Sequence, residues 1–191
     1  MRKKQIRAIV VAVALVFAAL TGFSGVSLLN SSPPGAVELK PADTEPIQKD
    51  ANEISVQKVV DGDTFDVKIN GKTERVRLIG TNAPESVDPR RAVQCFGKEA
   101  SEYLTDLISG KPIFLESDPT QGDADKYGRL LRYAFLTDGA DIGLMMIADG
   151  YAYEYTYETS YKYQLEYKAA EAAARDQKIG LWSDKTCGGK K

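Results

Sequence analysis

The stretch ISVQKVVDGDTFDVKINGKTERVRLIG, Ile54–Gly80, decides the fold. Its segments ISVQKVV, TFDVKI and ERVRLI are short and rich in β-branched residues, and they alternate in polarity as strands with one buried face do. Asn70-Gly71 separates the second and third segments and predicts a two-residue hairpin, because both residues tolerate positive φ. A meander therefore opens the domain. Outward from it, FGKEASEYLTDLIS (Phe96–Ser109) places Phe96, Ala100, Tyr103, Leu104 and Leu107 on one helical face, and Gly110 supplies the stop. PIFLES and RLLRYAFL read as two further strands, the latter ended by Thr137-Asp138-Gly139. ADIGLMMIADG reads as a short buried helix, and Ser160–Lys178 as a long final one with Tyr161, Leu165, Ala169 and Ala172 at core-like intervals. The order β-β-β-α-β-β-α-α predicts an α+β domain: five short strands curled into a barrel with three helices packed outside.

The chain has 191 residues, 43% hydrophobic and 27% charged, enough for one ordinary domain with extensions. It contains no histidine, which removes Ser-His-Asp and Cys-His catalysis and imidazole zinc sites. Two cysteines exclude a four-thiolate centre, so carboxylates with a hard cation are favoured. MRKKQIR carries four positive charges and leads into an uncharged stretch, Ala8–Val37, most apolar over Ala8–Leu20. Residues 1–29 thus read as a signal peptide or a retained N-terminal membrane anchor, and the protein as secreted or extracellular in a bacterial envelope. Residues 30–51, proline-rich and polar, read as a linker; 52–185 as the folded domain; 186–191 as a tail. Beyond Val37 there are 21 basic against 27 acidic residues, a net charge of −6, so any polyanion must be held by local cations or a metal.

Three islands carry candidate chemistry. Asp61-Gly62-Asp63-Thr64 sits where one strand ends and the next begins, and its two carboxylates could hold a cation, although Asp-Gly is also an ordinary turn signal. Arg77 lies in a strand followed by Gly80-Thr81-Asn82-Ala83-Pro84-Glu85, which gathers a guanidinium, a carboxamide and a carboxylate. Asp125-Lys126-Tyr127-Gly128-Arg129 places a second arginine just before the strand LLRYAFL. Each arginine alone could be a local ion pair. Together, two guanidiniums, a glutamate and an Asp/Asn pair suit a phosphodiester site: cations stabilise negative charge developing on phosphorus while a carboxylate positions or deprotonates water.

In these islands, in this order, and in Gly180-Leu181-Trp182, the chain resembles the staphylococcal thermonuclease family over about 130 residues, from Ile54 to Ser183. The resemblance implies an OB-fold barrel and a calcium-dependent, sugar-nonspecific nuclease acting on DNA and RNA. It implies Arg77, Glu85 and Arg129 as the catalytic group. Asp63, Asn82 and the carbonyl of Ala83 would surround one Ca2+, with Thr64 supporting its water shell. It further implies 3′-phosphate products, a preference for single strands, a monomer and no obligate protein partner. Asn82 stands where the family often has aspartate, which removes a charge and weakens the calcium site while leaving an oxygen ligand. Asp61 reads either as a functional residue or as the organiser of its turn.

Seven of the ten tyrosines fall between Tyr151 and Tyr167. Within the resembling family such tyrosines line a nucleotide pocket, which makes Tyr155 and Tyr157 candidates for stacking on a base; ordinary packing is the alternative. Lys126 and Tyr127 are the other candidate substrate contacts. Trp182 reads as a packing residue. Cys95 and Cys187, even in number in an exported chain, could bridge the first helix to the tail. The competing functional reading is a noncatalytic barrel that binds nucleic acid or protein, and the joint presence of Arg77, Glu85 and Arg129 separates the two.

Overall fold

The alternation in Ile54–Gly80 builds the strands it predicts. The computed structural model describes residues 53–87 and 92–190, with β1 at Ile54–Asp61, β2 at Thr64–Ile69 and β3 at Lys72–Leu78. Phe65 and Val67 of β2 and Val76 and Leu78 of β3 point into the core. Asn70 and Gly71 both adopt positive φ, 49° and 81°, and Ile69 pairs with Lys72 across them, the geometry of a tight hairpin. Next come β4 (Thr81–Asn82), α1 (Gly97–Ile108), β5 (Pro112–Glu116), β6 (Leu130–Leu136), α2 (Ile142–Ala148), β7 (Tyr153–Glu154), α3 (Gln164–Asp176) and a single 3₁₀ turn, Gly180–Trp182.

Strands β1-β2-β3-β6-β5 close into a barrel, antiparallel except for the parallel β3–β6 pair. Two irregularities in β1, between Val56 and Lys58 and between Val59 and Asp61, bend it, as an extra residue in a ladder does. Closure leaves no free sheet edge in the barrel. This is the five-stranded α+β OB-type architecture with three helices that the pattern predicted. Helix α1 buries Ala100, Leu104 and Ile108, one residue per turn. Asp141 caps α2 by accepting from the Leu144 N–H.

Two features depart from expectation. Strands β4 and β7 form a separate antiparallel pair, Thr81 opposite Glu154 and Asn82 opposite Tyr153, too short to leave a pattern in sequence. The final helix begins at Gln164, so Tyr161 precedes it, and the stripe counted from Tyr161 is out of phase: Leu165 is 80% exposed, and Ala169 and Ala172 also face solvent. The buried face carries Tyr167 and Ala174 instead, with Ala170 packed against the core. A tyrosine in non-helical backbone cannot set the phase of the helix that follows.

Tyr153, Leu181 and Cys187 form a second small core with Phe96 and Trp182 packed on it. Trp182 meets Tyr153 edge-on at 5.2 Å, and the Arg175 guanidinium lies 4.6 Å from its ring. Cys95 and Cys187 are joined by a disulfide, so the start of α1 is tied to the C-terminal segment. The export segment and the linker lie outside the described residues, among which no helix is long and apolar enough to cross a membrane.

Candidate functional site

The turn between β1 and β2 holds Asp63 close to β3 and to the segment that leaves it. Gly62 makes this approach possible, because a Cβ there would stand 2.6 Å from the Ala83 Cβ and 2.8 Å from the Ala100 Cβ. Asp61 is a structural hub. Its Oδ1 accepts from the Gly62 N–H (2.9 Å), the Ser86 hydroxyl (2.7 Å) and the Ser101 hydroxyl (3.1 Å), so it ties the turn to α1 and to the chain beyond Glu85. Burial raises its pKa, opposed by the bonds from Ser86 and Gly62.

Asp63 and Arg77 form the centre of the site. Asp63 Oδ2 lies 3.1 Å from an Arg77 Nη and accepts from the Ala83 N–H at 2.8 Å, while its Oδ1 accepts from the Thr64 hydroxyl at 2.8 Å. The Arg77 side chain is 13% exposed and also donates to the carbonyls of Leu78 and Thr81 and to Asn82 Oδ1 at 3.3 Å. Asp63, Thr64, Arg77, Asn82 and Ala83 thus converge on one another. Glu85 follows two residues after Ala83. Its position is fixed by Gln94, which takes the Glu85 N–H on its Oε1 (2.7 Å) and gives its own N–H to the Glu85 carbonyl (2.8 Å). The Glu85 carboxylate accepts from the Val87 N–H at 2.9 Å.

Arg129 stands apart from this cluster. Leu130 pairs with Val76 and Leu131 with Arg77, so Arg129 is level with Arg75, about two strand residues or ~7 Å along the ladder from Arg77. Its Nε and an Nη bond Asp125 Oδ2, both at 2.6 Å. Burial acts to raise the Asp125 pKa, but the Arg129 N–H, the guanidinium and the Tyr127 N–H outweigh it and hold the carboxyl below the usual range. Tyr127 is exposed, with Lys126 Nζ 5.2 Å and Arg129 Cζ 5.4 Å from its ring centre. Tyr155 is held beside the first cluster, since its N–H donates to the Gly80 carbonyl at 2.9 Å. Tyr155 and Tyr157 are both exposed and tilted against each other with centres 6.3 Å apart.

For a metal, the nearby donors are the Asp63 carboxylate, the Asn82 carboxamide oxygen and the Thr64 hydroxyl. All are hard oxygens, the kind that calcium or magnesium takes, but only one is anionic. No group of three or more acidic, cysteine or histidine side chains is placed to hold an ion among the described residues. The donor set therefore fits a hard cation in kind, and its low charge fits a weakly held one.

Sequence reading did not assign roles to Gln94, Ser86, Ser101 or Asp125 as a partner of Arg129. Gln94 lies nine residues from Glu85 with no periodic relation to it, whereas Asp125, four residues before Arg129, stands at a spacing that could have suggested the pair.

Residues 75–184 match the protein family described as Staphylococcal nuclease homologue. The chain is 35% identical over 137 residues to the SPbeta prophage-derived endonuclease YokF of Bacillus subtilis (strain 168), covering 71% of this chain and 45% of that protein. It is 35% identical over 138 residues to Endonuclease YncB of the same organism, covering 71% of this chain and 64% of that one. With the Thermonuclease of Staphylococcus intermedius it shares 34% identity over 127 residues, which is 66% of this chain and 74% of the relative. The chain thus spans less than two thirds of either Bacillus relative.

Proposed function

The chain belongs to the staphylococcal nuclease family, and from that membership we propose that it is a calcium-dependent endonuclease hydrolysing phosphodiester bonds of DNA and RNA. The observation that carries this reading is the convergence of Asp63, Arg77 and Asn82 in one hydrogen-bonded cluster, with the Glu85 carboxylate three residues after Asn82. Asp63, with oxygens of Asn82, Ala83 and Thr64, would hold the cation, which supplies positive charge against the phosphate. Arg77 and Arg129 each end in a fork of N–H donors, now turned to Asp63 and Asp125, and a phosphate presents the same paired oxygens as a carboxylate. They bind the nonbridging oxygens and stabilise the charge that grows there as water adds.

Glu85 accepts a proton of the attacking water, the water oxygen bonds to phosphorus, and the phosphorus–5′-oxygen bond breaks, the departing oxygen taking a proton from solvent, to leave a 3′-phosphate and a 5′-hydroxyl. Tyr155, Tyr157 and Tyr127 offer exposed rings on which unpaired bases stack, which favours single strands. Lys126 adds a phosphate contact. The basic-then-apolar start supports export, with the protein cleaved from its leader or held by it.

Incubating the purified protein with denatured DNA, in calcium or in chelator, tests this directly. Cleavage in calcium is expected, with losses of at least a hundredfold in Glu85→Gln and Arg129→Ala. Unchanged hydrolysis in chelator would remove the metal, and binding without cleavage under any divalent ion would favour the noncatalytic barrel.

A further inference from the structure

On the outer face of the barrel, a polar groove of about 320 Å³ is lined by Asp66, Thr73, Arg75, Tyr127, Gly128 and Arg129. Arg75 enters it from β3, two residues before Arg77 and on the same face of the strand, since Val76 between them points into the core. Arg75 and Arg77 thus share the outer face of β3, with Arg129 beside Arg75 just ahead of β6. Each is held by an aspartate, Asp66, Asp63 and Asp125 respectively, and side-chain exposure rises from 13% at Arg77 to 29% at Arg129 and 49% at Arg75.

Arg75 and Asp66 are cross-strand partners, so the bland account of the pair is a clamp on the hairpin. The groove gives the pair a second role. Arg75 uses Nε (2.7 Å) and one Nη (3.1 Å) on the two oxygens of Asp66, and a guanidinium has five N–H groups, so donors remain for an incoming anion without breaking the pair. The Tyr127 ring stands in the same groove and carries Arg129 against it. A domain of net negative charge has little long-range pull on a polyanion, so each additional local cation along the strand's path counts.

We infer that Arg75 binds the phosphate next in the chain to the one held by Arg129, with the backbone between them crossing the Tyr127 ring, so that the groove grips a strand by adjoining phosphates. The inference rests on the reading of this site as one that takes nucleic-acid phosphate, and it identifies the substrate as a chain of nucleotides rather than an isolated diester.

Fluorescence anisotropy of a labelled oligothymidylate, in calcium across a salt series, tests it on the full chain carrying Glu85→Gln to slow cleavage. Adding Arg75→Gln is expected to lower the slope of log affinity against log salt by about 0.7, the share of one phosphate contact on a single strand. Affinity at low salt should fall on the order of tenfold, and Arg75→Lys should restore the slope. The double variant Asp66→Asn/Arg75→Gln should show the same slope loss, because it removes the cation without exposing a carboxylate. An unaltered slope in Arg75→Gln would overturn the inference, as would Asp66→Asn weakening binding as much as Arg75→Gln, which would mark the pair as a clamp alone. Cleavage by the unsubstituted chain alongside an unaltered slope defeats the subsite only, whereas absence of both cleavage and binding defeats the nuclease reading as well.

Discussion

Reducing the Cys95–Cys187 disulfide should cost this domain a large part of its stability. The bridge closes a loop of 92 residues, and its Cα atoms stand 5.9 Å apart. In the chain-entropy account, a cross-link over a loop of that length withholds about 4–5 kcal/mol of freedom from the unfolded chain at 25 °C. Domains of this size are stable by only about 5–15 kcal/mol, so the loss is about a quarter or more of the total. At a urea dependence of about 2 kcal/mol per molar, the unfolding midpoint should drop by about 2 M. The assay is urea unfolding followed by the fluorescence of Trp182, which lies in the small core around Cys187, with and without dithiothreitol. Reduction keeps both sulfurs in place, so it isolates the cross-link; Cys95→Ala/Cys187→Ala should reach the same midpoint or slightly lower, because Cys187 is buried. A fall of less than about 0.5 M on full reduction would refute the reasoning and mean that the unfolded chain is already confined by other contacts.

Three further outcomes follow from the geometry. Arg77→Ala should destabilise by about 3 kcal/mol, since it strands the buried Asp63, while Arg129→Ala, whose aspartate is more exposed and keeps the Tyr127 and Arg129 N–H bonds, should cost about 1 kcal/mol; thermal unfolding of the two variants side by side reads the difference. Gly62→Ala should cost about 1–3 kcal/mol and disturb Ala83–Glu85, because the new methyl meets Ala83 and the Ala100 backbone at once; loss of activity in protein that still unfolds cooperatively would register it. Asp141 should make stability pH-dependent. Burial pushes its pKa from 3.8 up to about 6, against bonds from the Leu144 N–H and the Tyr167 hydroxyl. A carboxyl raised in the folded state contributes stability that is full below about pH 4 and is lost as pH rises through 6, a span worth about 3 kcal/mol. Asp141→Asn should flatten the urea midpoint between pH 4 and 7, and a wild-type midpoint already flat over that range would contradict the assignment.

The barrel was legible because β2 and β3 largely alternate and its sharpest turn, Asn70-Gly71, uses residues chosen by backbone geometry. The first helix was legible because Ala100, Leu104 and Ile108 recur at the helical period. The last helix misled because Tyr161 is aromatic and buried for a reason outside the helix: its hydroxyl bonds Glu154 and its ring packs on Gly80. At the site, Asp63, Arg77, Asn82 and Ala83 come together as the motif order implied, since strand pairing of Thr64 with Arg77 fixes their register. What stayed hidden were contacts made by loops, such as Gln94 on Glu85 and Ser86 and Ser101 on Asp61, which depend on how the chain folds back and leave no period to count. For Arg129 the sequence left a local acid and the site as alternatives, and in the structure its guanidinium pairs with Asp125.

The two-residue ladder of β4 and β7 has a mechanical consequence. It couples Asn82, beside the cluster that holds Asp63, to Tyr153, two residues before the exposed Tyr155, and the bond from the Tyr155 N–H to the Gly80 carbonyl extends the same splint. The Asn82 side and the Tyr155 side therefore move as one piece rather than two. A displacement of the backbone at Tyr155 is therefore passed to the strand that carries Asn82, so the position of that exposed ring and the spacing of the oxygens around Asp63 are set together.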